Sequence, residues 1–173
     1  MPIRGSINLP GDKSISHRAL MLSALTKGEC IIHNLSTGKD VESTRNCLSS
    51  CGIKSRKENR AMYVSGSKFQ NPSSPLDCGN SGTTTRLISG LLSGQGMTAQ
   101  LIGDASLSVR PMERIILPLT EMGVEISSAD GKLPLSISSR SLNRIEYTLP
   151  VASAQVKSSI IFAALGATGK TKI

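Results

Sequence analysis

The segment Leu48-Ser-Ser-Cys-Gly-Ile53 recurs about 70 residues later as Leu119-Thr-Glu-Met-Gly-Val124. In both copies an apolar helical pattern ends at glycine, the residue that commonly closes a helix in the left-handed conformation. A second marker, an apolar helix closed by glycine, occurs three times and ends at Gly28, Gly96 and Gly169. This recurrence at similar spacing predicts a repeated supersecondary unit.

Between these markers each repeat has the same pattern of elements. A helix ends at glycine, a strand follows, and a polar loop leads to a second helix and two short strands. The predicted strands are 29–34, one around 53, 61–65, 97–102, 124–128 and 133–138, with a hairpin turn at 130–131. The order α-β-α-β-β predicts an α/β (α+β) fold with mixed sheets.

The third copy has only a helix, Gln155 to Leu165, and a strand, Lys170 to Ile173. Its second helix and its hairpin are missing from the pattern. We therefore expect a fragment, or one part of a split protein whose remainder is a separate chain.

Composition narrows the class of ligand. The chain has 173 residues and is 38% hydrophobic, which is enough for one buried core. Aromatic residues make up 2%, so nucleic-acid binding by base stacking is not expected. The net charge of +8 favours anionic ligands in general. No membrane span and no signal-peptide core are visible, so we expect a cytoplasmic protein.

The cysteines stand at positions 30, 47, 51 and 78. Cys47 and Cys51 are four residues apart on a predicted helix, a spacing at which a metal site can begin. No second pair of ligands lies at a suitable spacing, and His17 and His33 are isolated. We therefore expect buried reduced thiols and no metal.

The segment 11–18, Gly-Asp-Lys-Ser-Ile-Ser-His-Arg, places Lys13, Ser14 and Arg18 at or beside the start of a helix. The free backbone N–H groups and the positive end of the helix dipole favour an anion there. Two cations and a hydroxyl at one helix start suggest a phosphate or carboxylate ligand. The alternative is a capped surface helix with solvated charges.

Two further helix starts carry similar polar motifs, at residues 79–86 and 152–157. Their Ser, Thr, Asn and Gln residues suit helix capping, and good capping alone is the alternative interpretation. Arg110, predicted to open the second helix of repeat two, is a candidate clamp for phosphate or carboxylate. The basic run between residues 54 and 60 is predicted to be a solvated hairpin tip.

Four motifs in order resemble the enolpyruvylshikimate-phosphate synthase family. They are GDKSISHR at 11–18, GNSGTTTRL at 79–87, GDASLSVRPMER at 103–114 and SAQVKSS at 153–159. The resemblance covers the whole chain but only the first part of the family's enzyme. The motifs are similar to those of the bacterial class that includes glyphosate-tolerant members. Gly82 and Leu87, however, give opposite indications about glyphosate sensitivity.

The resemblance implies two similar domains, each built from three β-α-β-α-β-β units, with helix N-termini facing the cleft between them. Residues 1–19, with a first strand near 6–9, would belong with the C-terminal domain. Residues 20–173 would form most of the N-terminal domain, with its third repeat incomplete.

The implied reaction transfers the enolpyruvyl group of phosphoenolpyruvate to shikimate-3-phosphate, without a metal or organic cofactor. The residues implied for shikimate-3-phosphate are Lys13, Ser14, Arg18, Ser153, Ala154 and Gln155. The residues implied for phosphoenolpyruvate are Lys13, Asn80, Gly82, Thr83, Arg110 and Gln155. Among these residues only Lys13 is implied as catalytic.

The family's acid/base Asp and Glu lie in its second half, and Asp12 and Asp104 do not occupy those positions. We therefore expect this chain alone to be inactive and to need a complementary C-terminal half. Two alternatives are open. One is the related enolpyruvyl transferase of cell-wall synthesis, which has Lys-Asn where this chain has Lys13-Ser14. The other is an anion- or RNA-binding domain of the same fold.

Overall fold

A computed structural model describes residues 4–7 and 9–173. The helices are α1 (Lys13–Ala24), α2 (Lys39–Ser50), α3 (Gly82–Gly94), α4 (Ala105–Ser108), α5 (Glu113–Glu121) and α6 (Ala154–Ala164). The strands are β1 (Gly28–His33), β2 (Lys54–Glu58), β3 (Ala61–Gly66), β4 (Leu76–Asp77), β5 (Thr98–Ile102), β6 (Glu125–Ala129), β7 (Lys132–Ser138), β8 (Leu142–Asn143) and β9 (Ala167–Thr168). The predicted α/β class is confirmed.

The first repeat forms an antiparallel sheet in the order β1-β3-β2, with α1 and α2 packed against it. The second forms a mixed sheet in the order β4-β5-β7-β6, in which β4 and β5 are parallel. The predicted turn between β6 and β7 is present, with Asp130 and Gly131 in the left-handed conformation. The first repeat therefore has the predicted order of elements, and the second has it with one unpredicted short helix, α4, between β5 and α5.

The third repeat consists of α6 and the parallel pair β8 and β9. The prediction of a strand at Lys170–Ile173 is wrong, because the strand lies earlier, at Ala167–Thr168. Gly169, with φ of 89°, ends it, and Lys172 forms only an isolated bridge with Glu146. Pairing with the short strand β8 determines where β9 forms, and that long-range contact is invisible in the local pattern.

The basic run between residues 54 and 60 lies in the predicted hairpin and is largely exposed, but the prediction that the whole run is the tip is wrong. Residues 54–58 are strand β2 itself, and the turn is formed by Asn59 and Arg60, both with positive φ. Arg56 stacks on the ring of Tyr63 and pairs with Glu29, and Lys54, Arg56 and Lys57 are all exposed along the paired strand. The antiparallel register with β3 extends the hairpin further than the charge pattern predicts.

The predicted strand near residues 6–9 falls partly outside the described residues. Residues 4–7 and 9–12 adopt no regular secondary structure. In the described part of the chain no helix is both long and apolar enough to span a lipid bilayer.

Three helices, α1, α3 and α6, are the opening helices of the three repeats and carry the polar motifs at their starts. Along α3 and α6 the backbones meet closely, because Gly90 and Gly94 of α3 face the backbone of α6 at Ser159 and Phe162. The apolar residues Leu87, Ile88, Leu91 and Leu92 of α3 are fully buried, together with several hydroxyl side chains of the same helix. The close packing of α3 on α6 brings their N-termini side by side.

The four cysteines are free thiols, and Cys47, Cys51 and Cys78 are buried, as predicted. Burial raises the pKa of Cys51 to about 11, so its reactive thiolate is scarce at neutral pH.

We expect Cys30, the half-buried cysteine, to be the first thiol to react with Ellman's reagent in the native chain. Cys30→Ser should remove the fast phase of the absorbance change, and a fast phase that persists in this variant would contradict the prediction.

Candidate functional site

Helix α1 begins at a capped turn that exposes the predicted cations. The Asp12 carboxylate accepts the N–H of Ile15 at 2.7 Å and so closes the first turn. Lys13 is exposed, and its Nζ lies 3.0 Å from Oδ2 of Asp40 in the first turn of α2. The start of α1 is thereby linked to the start of α2.

The starts of α3 and α6 are capped in the same way. The Ser81 hydroxyl accepts the N–H of Thr84 at 3.1 Å, and the Ser153 hydroxyl accepts the N–H of Val156 at 3.3 Å. Both caps leave further N–H groups of the first turn without a helical partner. The cap residues of all three motifs therefore agree with the sequence prediction.

An open cavity of about 480 Å³ lies where the three helix starts meet. It is lined by Ser14, Ile15, Arg18, Thr83, Ser153, Ala154 and Gln155. Apart from Lys13, every residue implied for shikimate-3-phosphate lines this cavity. Three positive helix ends around one space create a strong preference for an anion.

Arg18 connects α1 to α6 at the edge of this cavity. Its Nε and one terminal nitrogen donate to the Ser158 hydroxyl at 3.0 and 2.8 Å, and its other terminal nitrogen donates to the Ser14 carbonyl at 2.9 Å. These contacts hold the guanidinium in one orientation. A fixed guanidinium loses less conformational freedom when it binds a phosphate.

Gln155 connects α6 to α3. Its Nε2 donates to the Thr83 hydroxyl at 2.9 Å, and its Oε1 accepts from a terminal nitrogen of Arg86 at 2.9 Å. Arg86 also donates to the Pro111 carbonyl at 3.1 Å. A methyl group on Gly82 would come within 2.8 Å of Arg86, so the guanidinium lies directly against the start of α3.

Arg110 forms the second polar group of the site. It lies in the turn between α4 and α5, whereas the sequence predicted that it opens the second helix; α5 begins only at Glu113. Arg110 donates to Oδ1 of Asn80 at 2.6 Å, and Nδ2 of Asn80 donates to Asp104 at 2.7 Å. The Asp104 carboxylate caps α4 by accepting the N–H of Leu107, and α4 ends at Ser108, two residues before Arg110.

Uncompensated positive charge is concentrated at this point. Burial and the nearby guanidinium groups of Arg110 and Arg114 lower the pKa of Arg86. Within residues 4–7 and 9–173, none of these three arginines forms an ion pair with a carboxylate. Mutually repelling cations beside open helix N-termini are stabilised when an anion binds between them.

The Asp104 carboxylate near the site is a poor proton donor. The N–H of Leu107 and the amide of Asn80 lower the pKa of Asp104, so it stays ionised at neutral pH. Asp40 is paired with Lys13. This arrangement suits binding of anions, whereas a general acid needs a raised pKa.

Sequence reasoning missed Arg86 and Asp40 as site residues. Arg86 stands four residues after Gly82, so helical periodicity places both on one face of α3 and offered a usable signal. The pairing of Asp40 with Lys13 joins residues 27 positions apart and had no local signal. Lys13, implied for both substrates, lies with Asp40 and is absent from the cavity lining.

His17 is fully buried directly beneath the site. Burial lowers its pKa to about 4, and the nearby Lys13 and Arg18 act in the same direction while Asp40 opposes them. The imidazole is therefore neutral in the folded chain at pH 6.

We expect the free energy of unfolding to fall by about 2–3 kcal/mol as pH decreases from 6.5 to 4. In that window the unfolded chain binds a proton at His17 and the folded chain does not, so acid favours unfolding. Urea unfolding between pH 4 and 7.5 measures the slope. His17→Asn should give a smaller slope of unfolding free energy against pH than the parent chain. His33→Asn, the matched change at an exposed histidine, should leave the slope as in the parent. Equal slopes in all three proteins would refute the assignment.

The model of the family described as EPSP synthase (3-phosphoshikimate 1-carboxyvinyltransferase) matches residues 1–173. A 3-phosphoshikimate 1-carboxyvinyltransferase of Streptococcus pyogenes is 47% identical over 178 residues, which covers 99% of this chain and 42% of the relative. An EPSP synthase structure from Acinetobacter baumannii superimposes with a TM-score of 0.91 at 41% identity, covering 96% of this chain and 39% of that one.

The chain thus spans about two-fifths of the length of the relatives that it matches. The three capped helix starts, the cavity between them and the arginine group beside it all lie within residues 1–173, the range that the family model matches. Sequence motifs, fold and comparisons agree, and we conclude that the chain belongs to the EPSP synthase family.

Proposed function

We propose that this chain supplies anion-binding residues for the transfer of the enolpyruvyl group from phosphoenolpyruvate to shikimate-3-phosphate. The observation that carries the proposal is the cavity of about 480 Å³ at which three helix N-termini meet beside arginines that have no acidic partner within the described residues. Both substrates are anions, and two anions repel each other when they are brought together. Fixed cations and helix N-termini offset that repulsion before the reaction begins.

For shikimate-3-phosphate, the proposed contacts are Ser14, Arg18, Ser153, Ala154 and Gln155 along the cavity. The contacts of Arg18 with Ser158 and Ser14 hold its guanidinium in place. The phosphate would then accept hydrogen bonds from the starts of α1 and α6.

For phosphoenolpyruvate, the proposed contacts are Asn80, Gly82, Thr83, Arg110 and Gln155. Gly82 has no side chain, so the ligand can approach the backbone N–H groups of α3. Arg110 offers a bidentate donor to the phosphate.

Lys13 is proposed to contact both substrates and to stabilise the charge that develops in the tetrahedral addition step. It now pairs with Asp40 at 3.0 Å, and both side chains are partly exposed, so an incoming anion can compete for the ammonium group.

We propose that proton transfer relies on groups other than Asp104, because its pKa is lowered. We propose that these groups belong to a complementary C-terminal half, equivalent to the remainder of the longer relatives. Residues 1–19 are proposed to reach that half through the segment that precedes α1, while His17 and Arg18 at the start of α1 also contact residues 20–173. Residues 20–173 are proposed to form most of the N-terminal domain. The absence of a strand at residues 4–7 and 9–12 agrees with a segment whose partner strands lie elsewhere. The cytoplasmic location stays a prediction.

Phosphate release from phosphoenolpyruvate and shikimate-3-phosphate tests the proposal. The chain is assayed alone and then mixed with the C-terminal segment of the S. pyogenes relative. We expect product only in the mixture. A normal rate from the chain alone would contradict the need for a second half. The absence of phosphate release in both samples, together with no binding of shikimate-3-phosphate, would contradict the function.

A further inference from the structure

A buried chain of hydrogen bonds runs beneath the site and joins three helices. Nδ1 of His17 on α1 lies 2.7 Å from the hydroxyl of Thr44 on α2. That hydroxyl lies 2.8 Å from the hydroxyl of Thr84 on α3, which in turn lies 2.8 Å from the hydroxyl of Ser81, the cap of α3. All four side chains are fully buried.

Three members of this network are chain neighbours of proposed substrate-binding residues. His17 precedes Arg18, and Ser81 and Thr84 flank residues 82–83 on either side. A shift of the network would therefore displace the start of α1 relative to the start of α3.

The network also contacts the residue that holds Lys13. The Thr84 hydroxyl lies 3.1 Å from the backbone carbonyl oxygen of Asp40, and the Asp40 carboxylate pairs with Lys13. The ammonium group of Lys13 is thus connected to α3 through a single residue of α2.

Other buried hydroxyls of α3 are bonded differently. Thr85, Ser89 and Ser93 each donate to a backbone carbonyl one turn earlier, at the residue four positions before them. Such bonds satisfy the hydroxyl within or at the cap of its own helix and fix nothing about neighbouring helices.

Stability alone does not account for the network. Nε2 of His17 is buried without a hydrogen-bond partner among the described residues, which is unfavourable. Buried polar groups can often be replaced by apolar groups of similar shape without loss of stability. An interhelical polar network instead favours one relative arrangement of the helices.

We propose that His17, Thr44, Thr84 and Ser81 form a positioning network that fixes the starts of α1, α2 and α3 relative to one another and so sets the geometry of the substrate site. This inference rests on the proposed function and deepens it. With the proton of the imidazole on Nδ1, His17 donates to Thr44, Thr44 donates to Thr84, and Thr84 donates to the Asp40 carbonyl or to Ser81. The Thr44 hydroxyl then has a defined direction, and the Thr84 hydroxyl has two acceptors within reach.

Three substitutions separate positioning from stability. Thr44→Val keeps the shape of the side chain and removes the hydroxyl, whereas Thr44→Ser keeps the hydroxyl and removes a methyl group. Thr85→Val is the matched control, because Thr85 is equally buried and its hydroxyl donates to the Ser81 carbonyl and not to a side chain of the network. In the mixture with the C-terminal segment we expect Thr44→Val to lower kcat about 10-fold, measured at a temperature well below the unfolding midpoint of the variant. Thr44→Ser and Thr85→Val should stay within about 2-fold of the parent.

If kcat instead follows the unfolding midpoint across the three variants, or if Thr44→Val matches Thr85→Val, the network is only structural and the inference is wrong. NMR of the chain alone provides a readout that does not require activity. We expect the Nδ1–H tautomer of His17 in the parent and a changed Nδ1 shift in Thr44→Val, together with shifted amide resonances at residues 13–18 and 81–83.

The NMR readout also distinguishes the two failures. If the parent mixture is inactive but Thr44→Val shows these resonance changes, the proposed function is contradicted and the coupling of the helix starts is supported. Unchanged amides in Thr44→Val, or changes of equal size in Thr85→Val, would overturn the positioning network whatever the activity.

Discussion

Replacing Gly90 by alanine is expected to lower the free energy of unfolding of this chain by about 3 kcal/mol. A Cβ atom at this position would lie 2.0 Å from the carbonyl oxygen of Ser159 and 2.8 Å from its hydroxyl. Both α3 and α6 would have to move apart, because the obstructing atom belongs to the backbone. Urea unfolding followed by circular dichroism measures the change.

The expected loss of stability in Gly90→Ala is opposite in sign to the usual effect of alanine in a helix. In a helix whose surface is free, glycine to alanine raises stability by about 1 kcal/mol, since alanine has the higher helix propensity. Gly5→Ala is the control, because no atom of residues 4–7 and 9–173 lies within 4 Å of the position of its Cβ. A Gly90→Ala chain as stable as the parent would show that the two helices are not packed as closely as described.

The same substitution should disturb the site. Gln155 and Thr83 lie at the starts of the two helices and are hydrogen-bonded at 2.9 Å. Separation of the helices breaks this bond, so binding of shikimate-3-phosphate should weaken together with stability.

Arg110→Ala is expected to lower the rate of product formation in the reconstituted mixture about 100-fold. Among the described residues Arg110 pairs with no carboxylate directly and is hydrogen-bonded to Asn80. The variant therefore removes a bidentate donor from the site. The rate at saturating shikimate-3-phosphate, measured over a range of phosphoenolpyruvate concentrations, tests this, and most of the loss should appear in kcat/KM for phosphoenolpyruvate.

Arg45→Ala is the matched control, because Arg45 lies on α2 and pairs with Glu42 in its own helix. It should keep the rate within about 2-fold of the parent. An Arg110→Ala mixture with the parent rate would refute the proposed phosphate contact. An equal loss in both variants would indicate a general effect of net charge and not a specific clamp.

Local sequence patterns predicted the order of elements well. The helix starts at Lys13, Gly82 and Ala154 follow cap residues whose hydrogen bonds span three positions, so short-range chemistry determines them. The hairpin turn at 130–131 was predicted for the same reason. The strand at 167–168 was misplaced, because pairing with a distant strand decided its position.

The sequence by itself determined which residues stand at helix starts, that these starts favour anions, and that the repeats share one order of elements. The tertiary structure alone decided which starts meet. Arg18 reaches Ser158 across 140 positions and Gln155 reaches Thr83 across 72, and the glycine-mediated contact of α3 with α6 makes the second approach possible. Capping is a local interaction between near neighbours, whereas the cavity exists only after packing has brought distant helices together.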